Sequence, residues 1–376
     1  MPRVSVVIPT YNQGNFVAAA VESGLAQTYR DLEVIVVNDG STDHTAAVLA
    51  PYVGRIHSLC QPNRGLAAAR NAGFRASRAE FVKFLDSDDL LLPRALALQV
   101  AYLDAEPRCG LVYSAWQQIN EDATRVLGVV RPGQQGQVLE GLLRHTFLFF
   151  PSCTLLRRGC LERVGAFDES LSWGEDMDLW LRLARAGYDF GYLDQILMQY
   201  RIHANSMTAR IGPEQSSGLT KVLDKLFADH ELPARIRALE ARARSIADYE
   251  TAGRYYRVGA TALAQEHLRR AIGRDPRTDP EWLLEWVAGT ALDPRTPDPM
   301  LFIDRVFDHL PPEAAPWRRL RRRAHGRYHA AAVFSAYAHH DLRKAGQHIV
   351  PALWADPSII RNRGFLRIAA RVLWGQ

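Results

Sequence analysis

The sequence predicts an α/β fold, a mostly parallel sheet with helices on both faces, followed by an α-helical, solenoid-like domain. Three observations point there. Four short apolar runs open the chain at βα spacing: Val4–Ile8, Leu32–Val37, Ile56–Leu59 and Phe81–Leu85. Helical patterns separate them, at Asn15–Ala26 and Gly65–Ala76. From about residue 210 the character changes to helix rich in Ala, Arg and Leu. Strands that are apolar almost throughout are buried on both faces, the usual condition of a parallel sheet.

Later elements follow from their own residues. Leu90–Tyr102 reads as a helix that an Asp of the preceding acidic run could cap. Gly110–Ile119 reads as a strand and Val138–Arg144 as a short helix. From Asp178 onward the spacing is amphipathic, with Glu175 and Asp176 in the first turn, where the helix dipole favours carboxylates whatever their task. In the second half, Ala252, Tyr255, Ala264, Leu268, Ala271 and Pro276 have the spacing of a tetratricopeptide unit. Ala345, Ile349, Ala352 and Pro357 repeat its second part, and such helix pairs bury their faces by stacking. Gly212, Pro213, Ser216 and Ser217 mark a linker over Ala209–Ser217. The expected domains are 1–209, with halves of about 1–108 and 109–209, and 210–376.

Composition narrows the function. At 376 residues, 47% hydrophobic and 23% charged, the chain can bury two cores and is not disordered. Its four cysteines form no CxxC pair, so neither a disulfide frame nor a zinc site is expected. The start MPRVSVVIPTYN lacks the apolar core of a signal peptide, and no apolar run is long enough to span a bilayer. Residues 1–209 hold 19 Lys and Arg against 22 Asp and Glu, a net of −3. Residues 210–376 hold 27 against 19, a net of +8. Two such halves suit different partners.

The chemistry gathers at Asp86, Asp88 and Asp89, directly after the fourth apolar run. Crowded carboxylates repel one another, and a divalent cation such as Mg2+ or Mn2+ relieves that while binding substrate phosphates. The plainer reading is a solvated turn. Polar and acidic loops also follow the first run (Pro9-Thr10-Tyr11-Asn12) and the second (Asn38-Asp39-Gly40-Ser41-Thr42-Asp43). Ligands of such sheets bind beyond the carboxyl ends of the strands, which favours a site.

The ordered segments VSVVIPTYN, VIVVNDGSTD, NRGLAAARNAG, FLDSDD, FDESLSWGEDMDLWLRLA and YRIH resemble the family 2 glycosyltransferases, inverting enzymes of GT-A fold, over residues 3–208. The resemblance implies that Pro9, Tyr11 and Asp39 meet the pyrimidine base and ribose of a UDP- or dTDP-sugar, and that Arg70 and Asp86 reach the nucleotide. It implies Asp88, with Asp86, on a Mn2+ or Mg2+ ion that bridges the diphosphate. His203 is either a third ligand or structural. Asp176 would be the base that deprotonates an acceptor hydroxyl, with Glu175 shaping the site. The Gln-x-x-Arg-Trp motif of processive members is missing, which implies transfer of one sugar per encounter to a glycan or lipid-linked acceptor in cell-surface polysaccharide biosynthesis. The rival is a catalytically inactive glycosyltransferase-like scaffold that recruits partners through its helical domain. Intact Asp39, Asp86, Asp88 and Asp176 argue for the enzyme. A nucleotidyltransferase would want a Gly-rich triphosphate loop, and PTYNQGN is not one.

The basic half carries Trp317–Arg323 and a tail, Arg361–Trp374, in which Arg363, Arg367 and Arg371 recur beside an apolar stripe. This is a basic amphipathic helix that either lies on an anionic membrane, docks on a protein partner, or packs on its own domain. No nucleic-acid module is built, so no nucleic acid is expected. The histidines His325, His329 and His339-His340 read as surface residues. The expected location is cytoplasmic, with peripheral attachment to the inner face of the membrane.

Overall fold

In the computed structural model, residues 1–144, 149–208, 213–275, 279–338 and 341–374 are described. Part of the expected linker (209–212), Pro276 and the His339-His340 pair lie outside them. β1 (Val4–Thr10) is buried along its whole length and lies between β2 (Leu32–Asn38) and β4 (Phe81–Phe84), parallel to both. β3 (His57–Cys60) is the exposed edge, parallel to β2. These four strands are the expected parallel block.

Helices cover both faces of this block. Val6 and Val7 are neighbours on β1 and so point to opposite sides. A Cβ on Gly24 of α1 (Val17–Leu25) would sit 3.8 Å from Val6. A Cβ on Gly73, the second glycine of NRGLAAARNAG, would overlap Val7 at 2.2 Å. α1 and the helix of Gly73 therefore pack on opposite faces. That helix is α3 (Leu66–Ala76), and α2 (Thr45–Leu49) lies between the two in sequence.

The rest of the sheet is mixed. β5 (Leu90–Leu91), β6 (Cys109–Ile119), β7 (Val126–Val130), β8 (Thr154–Arg157) and β9 (Asp189–Arg201) extend it in the order β3-β2-β1-β4-β8-β6-β9-β5, with β7 on β6. β8 is antiparallel to both β4 and β6, whereas β6 and β9 run parallel. Two expectations change here. Leu90 and Leu91 pair with β9 instead of opening a helix. α4 starts only at Ala95 and runs to Ala105, because Pro93 has no N–H and disfavours helix in the residue before it.

α5 (Leu139–Leu143), α6 (Arg158–Val164) and α7 (Glu175–Arg185) complete the region up to β9. The chain divides into two units, Met1–His203 with Gly212–Glu240, and Ala204–Ile211 with Ala241–Gln376. The boundary expected at 209/210 thus precedes two helices, α8 (Pro213–Phe227) and α9 (Ala234–Arg237), that join the first unit. The reason is apolar: Leu219, Val222 and Leu223 of α8 close over Met177 and Leu181 of α7.

The second unit is helical: α10 (Glu240–Val258), α11 (Thr261–Arg274), α12 (Pro280–Leu292), α13 (Pro299–Asp308), α14 (Arg321–Ala338), α15 (Leu342–Ala355) and α16 (Arg363–Trp374). The repeat positions Ala252, Ala264, Leu268, Ala271, Ala345 and Ala352 are fully buried, as stacked helix pairs require. In α16, Phe365 and Ala369, with Ile368 and Val372, join a core with Val333 and Ile349, so one flank of the basic helix packs on its own unit. His325 and His329 are partly buried, not surface residues: His325 bonds Asp304 at 3.0 Å, and His329 meets His348 of α15. α14 is flanked on both sides by other helices, which covers them.

Gly73→Ala should force α3 away from Val7, costing about 1–3 kcal/mol of stability. Urea unfolding that matches the wild type would refute that close approach.

Candidate active site

The chain bends sharply after β4, where Asp89 N–H donates to the Asp86 carbonyl at 3.0 Å. This turn faces a second acidic pair carried by α7. Between them lies Arg70 of α3, 2% exposed. Its two terminal nitrogens donate to Asp86 Oδ1 and Glu175 Oε1, each at 2.7 Å. Its guanidinium lies 5.1 Å from the Phe167 ring centre. The adjacent Asn71 donates to the Phe167 carbonyl at 2.8 Å and accepts from Phe167 N–H at 3.0 Å. Neighbouring residues on one helix thus hold the cluster and the loop that leads to α7.

Asp176 shares this surround without a direct bond to Arg70. Burial and then the Glu175 charge push its carboxyl up to about 7, against the opposing pull of Arg70. Burial works against the Arg70 charge, but Asp86 and Glu175 outweigh it and hold the guanidinium protonated.

Asp88 pairs with His203, its Oδ2 lying 3.0 Å from Nε2. His203 is buried, its ring centre 4.5 Å from that of Phe16, and its Nδ1 has no hydrogen-bond partner among the described residues. Among the described residues no group of three or more His, Cys, Asp or Glu is placed to hold a metal. The Asp88–His203 pair nevertheless fits two positions on one ion. Ligands at about 2.1 Å in octahedral geometry lie about 3 Å apart at adjacent vertices. The Asp88 carboxylate is the donor type that suits Mn2+ or Mg2+, and a diphosphate would supply further oxygens. Asp86 turns one oxygen to Arg70, so it stands beside this pair.

The loops after β1 and β2 are stitched together. Asn12 Oδ1 accepts from Thr42 N–H at 2.8 Å, and Gly14 N–H donates to Asp43 at 3.1 Å. Pro9 is buried in β1, and Tyr11 stays 46% exposed. Asp39 is buried and its carboxylate already accepts three bonds: from Gln61 Nε2 and Arg64 N–H on one oxygen, and from Gly65 N–H on the other. Gly40, at φ 76°, lets that loop approach, since a Cβ there would meet Asn63 N at 2.7 Å. One lone-pair position of Asp39 is left for a ligand.

Several supporting residues escaped the sequence reading. Arg201, two positions before His203 in YRIH, donates from Nε to the Asp88 carbonyl at 2.8 Å, and its N–H donates to Asp89 at 3.1 Å. Asp89 is buried rather than solvated. Burial, then Asp88 and Asp86, raise its carboxyl well above the usual range. Lys83, a cation inside an apolar strand, is buried against Gln99, and burial pushes its ammonium down to about 7. Behind Asp176, buried Asp178 is held by Arg182 at 2.7 Å and by Lys225 of α8 at 2.8 Å. Asp89 is marked by the acidic run itself, and Lys83 by being a charged residue at a position the apolar pattern marks as interior; Arg201 and Asp178 carry no such signal.

Arg70→Met leaves Asp86 and Glu175 without their cation and should cost about 3–5 kcal/mol, with Lys recovering only part because it lacks the fork. Equal denaturant midpoints for the three proteins would contradict the bridging geometry.

Residues 5–165 match the family described as glycosyl transferase family 2. An uncharacterized glycosyltransferase of Rickettsia prowazekii is 34% identical over 55% of this chain and 66% of its own length. One of Rickettsia typhi is 33% identical over 54% of this chain and 64% of its own length, so the matched part leaves about a third of each relative uncovered. The hyaluronan synthase of Pasteurella multocida is 30% identical over 60% of this chain and 23% of its own. Two solved structures share the fold. S. aureus TarS in complex with UDP-GlcNAc has a TM-score of 0.53 at 17% identity, covering 94% of this chain and 91% of that one. The mannosyltransferase of Pyrobaculum calidifontis in complex with GDP-Man and Mn2+ has a TM-score of 0.52 at 23% identity, covering 82% and 87%. The GT-A expectation therefore holds, and residues 5–165 form a glycosyl transferase family 2 domain.

Proposed function

We propose that the protein transfers one sugar, with inversion, from a UDP- or dTDP-sugar to a hydroxyl of a glycan or lipid-linked acceptor in cell-surface polysaccharide biosynthesis. The observation that carries this is Asp176. A general base works best with a pKa near the operating pH, and burial beside Glu175 brings this carboxyl to about 7. The TarS complex with UDP-GlcNAc supports a uridine-diphosphate donor, the GDP-Man complex supports only the wider nucleotide-sugar class, and the hyaluronan synthase relative supports a polysaccharide product.

In this reading Pro9, Tyr11 and the remaining lone pair of Asp39 receive the base, on loops kept rigid by Asn12 and Asp43. Asp88 and His203 would hold Mn2+ or Mg2+, which supplies positive charge against the departing diphosphate. Asp86 fixes Arg70, Arg70 fixes Glu175, and Glu175 shapes the acceptor side. Asp176 accepts the proton of the attacking hydroxyl. The anomeric carbon then gains the acceptor oxygen as it loses the nucleotide oxygen on its opposite face.

Asp176→Asn should lower single-turnover transfer by at least about 10²-fold while UDP binding is unchanged. In the wild type the rate should rise with pH through an acid limb near 7, a property of the Glu175–Asp176 pair. The same shift sets stability. Folded Asp176 keeps its proton up to about 7, whereas an unfolded aspartate releases it near the ordinary 3.8. The folded state binds the extra proton across that window, so wild-type stability falls as pH rises through it. The Asn variant escapes the fall and should melt above the wild type at about pH 8, converging with it below about pH 4. A rate flat across the window, with no such crossover, would remove Asp176 from the role of base.

Asp88→Asn and His203→Gln should each weaken Mn2+-dependent UDP binding about 10-fold or more, within the range seen when metal-site groups are lost. Calorimetry showing unchanged UDP and Mn2+ affinity in both would place the cation elsewhere.

A further inference from the structure

The second unit leaves one side uncovered. On α15, Val350 and Trp354 are 69% and 70% exposed, one helical turn apart. Ile360, in the turn between α15 and α16, is 60% exposed, and Leu366 and Leu373 of α16 are 40% and 58% exposed. Helical register joins the last two to the first. At about 100° per residue, Leu366 and Leu373 share one flank of α16, and Arg371 lies on the other. Arg371 donates to Tyr337 of α14 at 2.9 Å, so the leucine flank is turned away from α14. α15 packs beside α16, where a Cβ on its Gly346 would touch Val372 at 3.5 Å, and Gly346, Val350 and Trp354 follow one another at four-residue steps along that side of α15. Isolated exposed apolar residues need no explanation, but four on one pair of helices and a fifth in the turn between them form a patch.

The charge around the patch is mostly of one sign. From Asp341, the N-cap of α15, through α16 there are six cations (Arg343, Lys344, Arg361, Arg363, Arg367 and Arg371) and two acidic side chains, Asp341 and Asp356, and Asp341 sits at the end of α15 away from Val350 and Trp354. Asp356 is 2% exposed and is already engaged by Arg327 at 3.3 Å. Arg322 lies over the exposed Trp354 ring, 4.4 Å from its centre, so the aromatic edge of the patch is itself basic.

We propose that this face of α15 and α16 docks on an anionic lipid bilayer, aliphatic and indole groups entering the headgroup region and arginines meeting lipid phosphates. The charge selects this occupant. A second copy related by a two-fold axis would bring six cations against six, which is repulsive. A bilayer with anionic headgroups accepts both components at once, an amphipathic face with Trp at the boundary and Arg at the rim. No described helix is long and apolar enough to cross a membrane, so the contact is with the surface. It does not depend on the transfer reaction. Loss of α16 is the wrong test, because Phe365 and Ala369 belong to the core of the unit.

The test is flotation of the full chain with vesicles of phosphatidylcholine containing about one third phosphatidylglycerol, beside vesicles of phosphatidylcholine alone. Arg361, Arg363 and Arg367 are changed together to Gln in one variant, and Trp354→Ser with Leu366→Ser in another. Each arginine contributes about 5-fold to partitioning, so the triple variant should bind roughly 100-fold more weakly. Added salt should release the wild type, and both variants should keep wild-type melting temperatures because every changed side chain is exposed. Equal flotation of wild type and variants, or equal binding to neutral vesicles, would overturn the proposal. So would absence of flotation at low salt, or a wild-type dimer that the variants dissociate.

Discussion

One guanidinium organises this site. Arg70 is buried and charged, a condition tolerated only where the charge is matched by close, well-aligned partners. Its partners come from distant parts of the chain: Asp86 ends β4, and Glu175 begins α7, 105 residues further along than Arg70. The bridge therefore ties the loop after the parallel block to the helix of the mixed half. With Asn71 gripping the backbone at Phe167, α3 holds α7 at two points, one ionic and one by paired hydrogen bonds. Gly73, one turn on, seats that helix against β1, so backbone packing and charge placement share one element.

The same logic repeats on the other side of the acidic turn. Arg201 from the end of β9 binds the backbone of Asp88 and the carboxylate of Asp89, and His203 two residues later meets Asp88 itself. Asp86 and Asp88 thus belong to different neighbourhoods, one facing Arg70 and the other facing β9. A turn with three carboxylates in four residues survives because each is assigned elsewhere: to a guanidinium, to an imidazole, and to a buried position where burial favours the neutral form.

What was legible in the sequence was whatever local pattern decides. β1, β2 and β4 are apolar at nearly every position, and the loops after them carry turn and acid residues, so the strand ends and the site edge could be placed. The apolar Leu90–Leu92 continues the helical pattern of α4 in sequence, and only Pro93 marks that the helix begins after it. β9, with Asp194, Gln195 and Gln199 among its apolar residues, has no clean period because only part of it is covered. The partners of Arg70 were not legible, since a cation on a helix carries no mark of which remote carboxylate it will meet. Asp39 shows the same limit. Its place after β2 was clear, but three of its hydrogen bonds come from the loop at 61–65, whose return depends on Gly40 and on the path of β3.

The two carboxylates that open α7 are adjacent in sequence and identical in charge, and nothing in their order distinguishes a base from a supporting acid. Their surroundings do. Glu175 has the longer side chain and reaches Arg70 at 2.7 Å, so its charge is matched by a direct ion pair. Asp176 is left in the same desolvated corner with an unmatched share of the negative charge, and Asp86 adds to it. Three acids around one guanidinium cannot all be neutralised by it, and the proton settles on the one without a direct bond. In the proposed reaction the base is selected by exclusion from the bridge: Arg70, without a direct bond to Asp176, leaves Asp176 as the group able to take a proton near neutral pH.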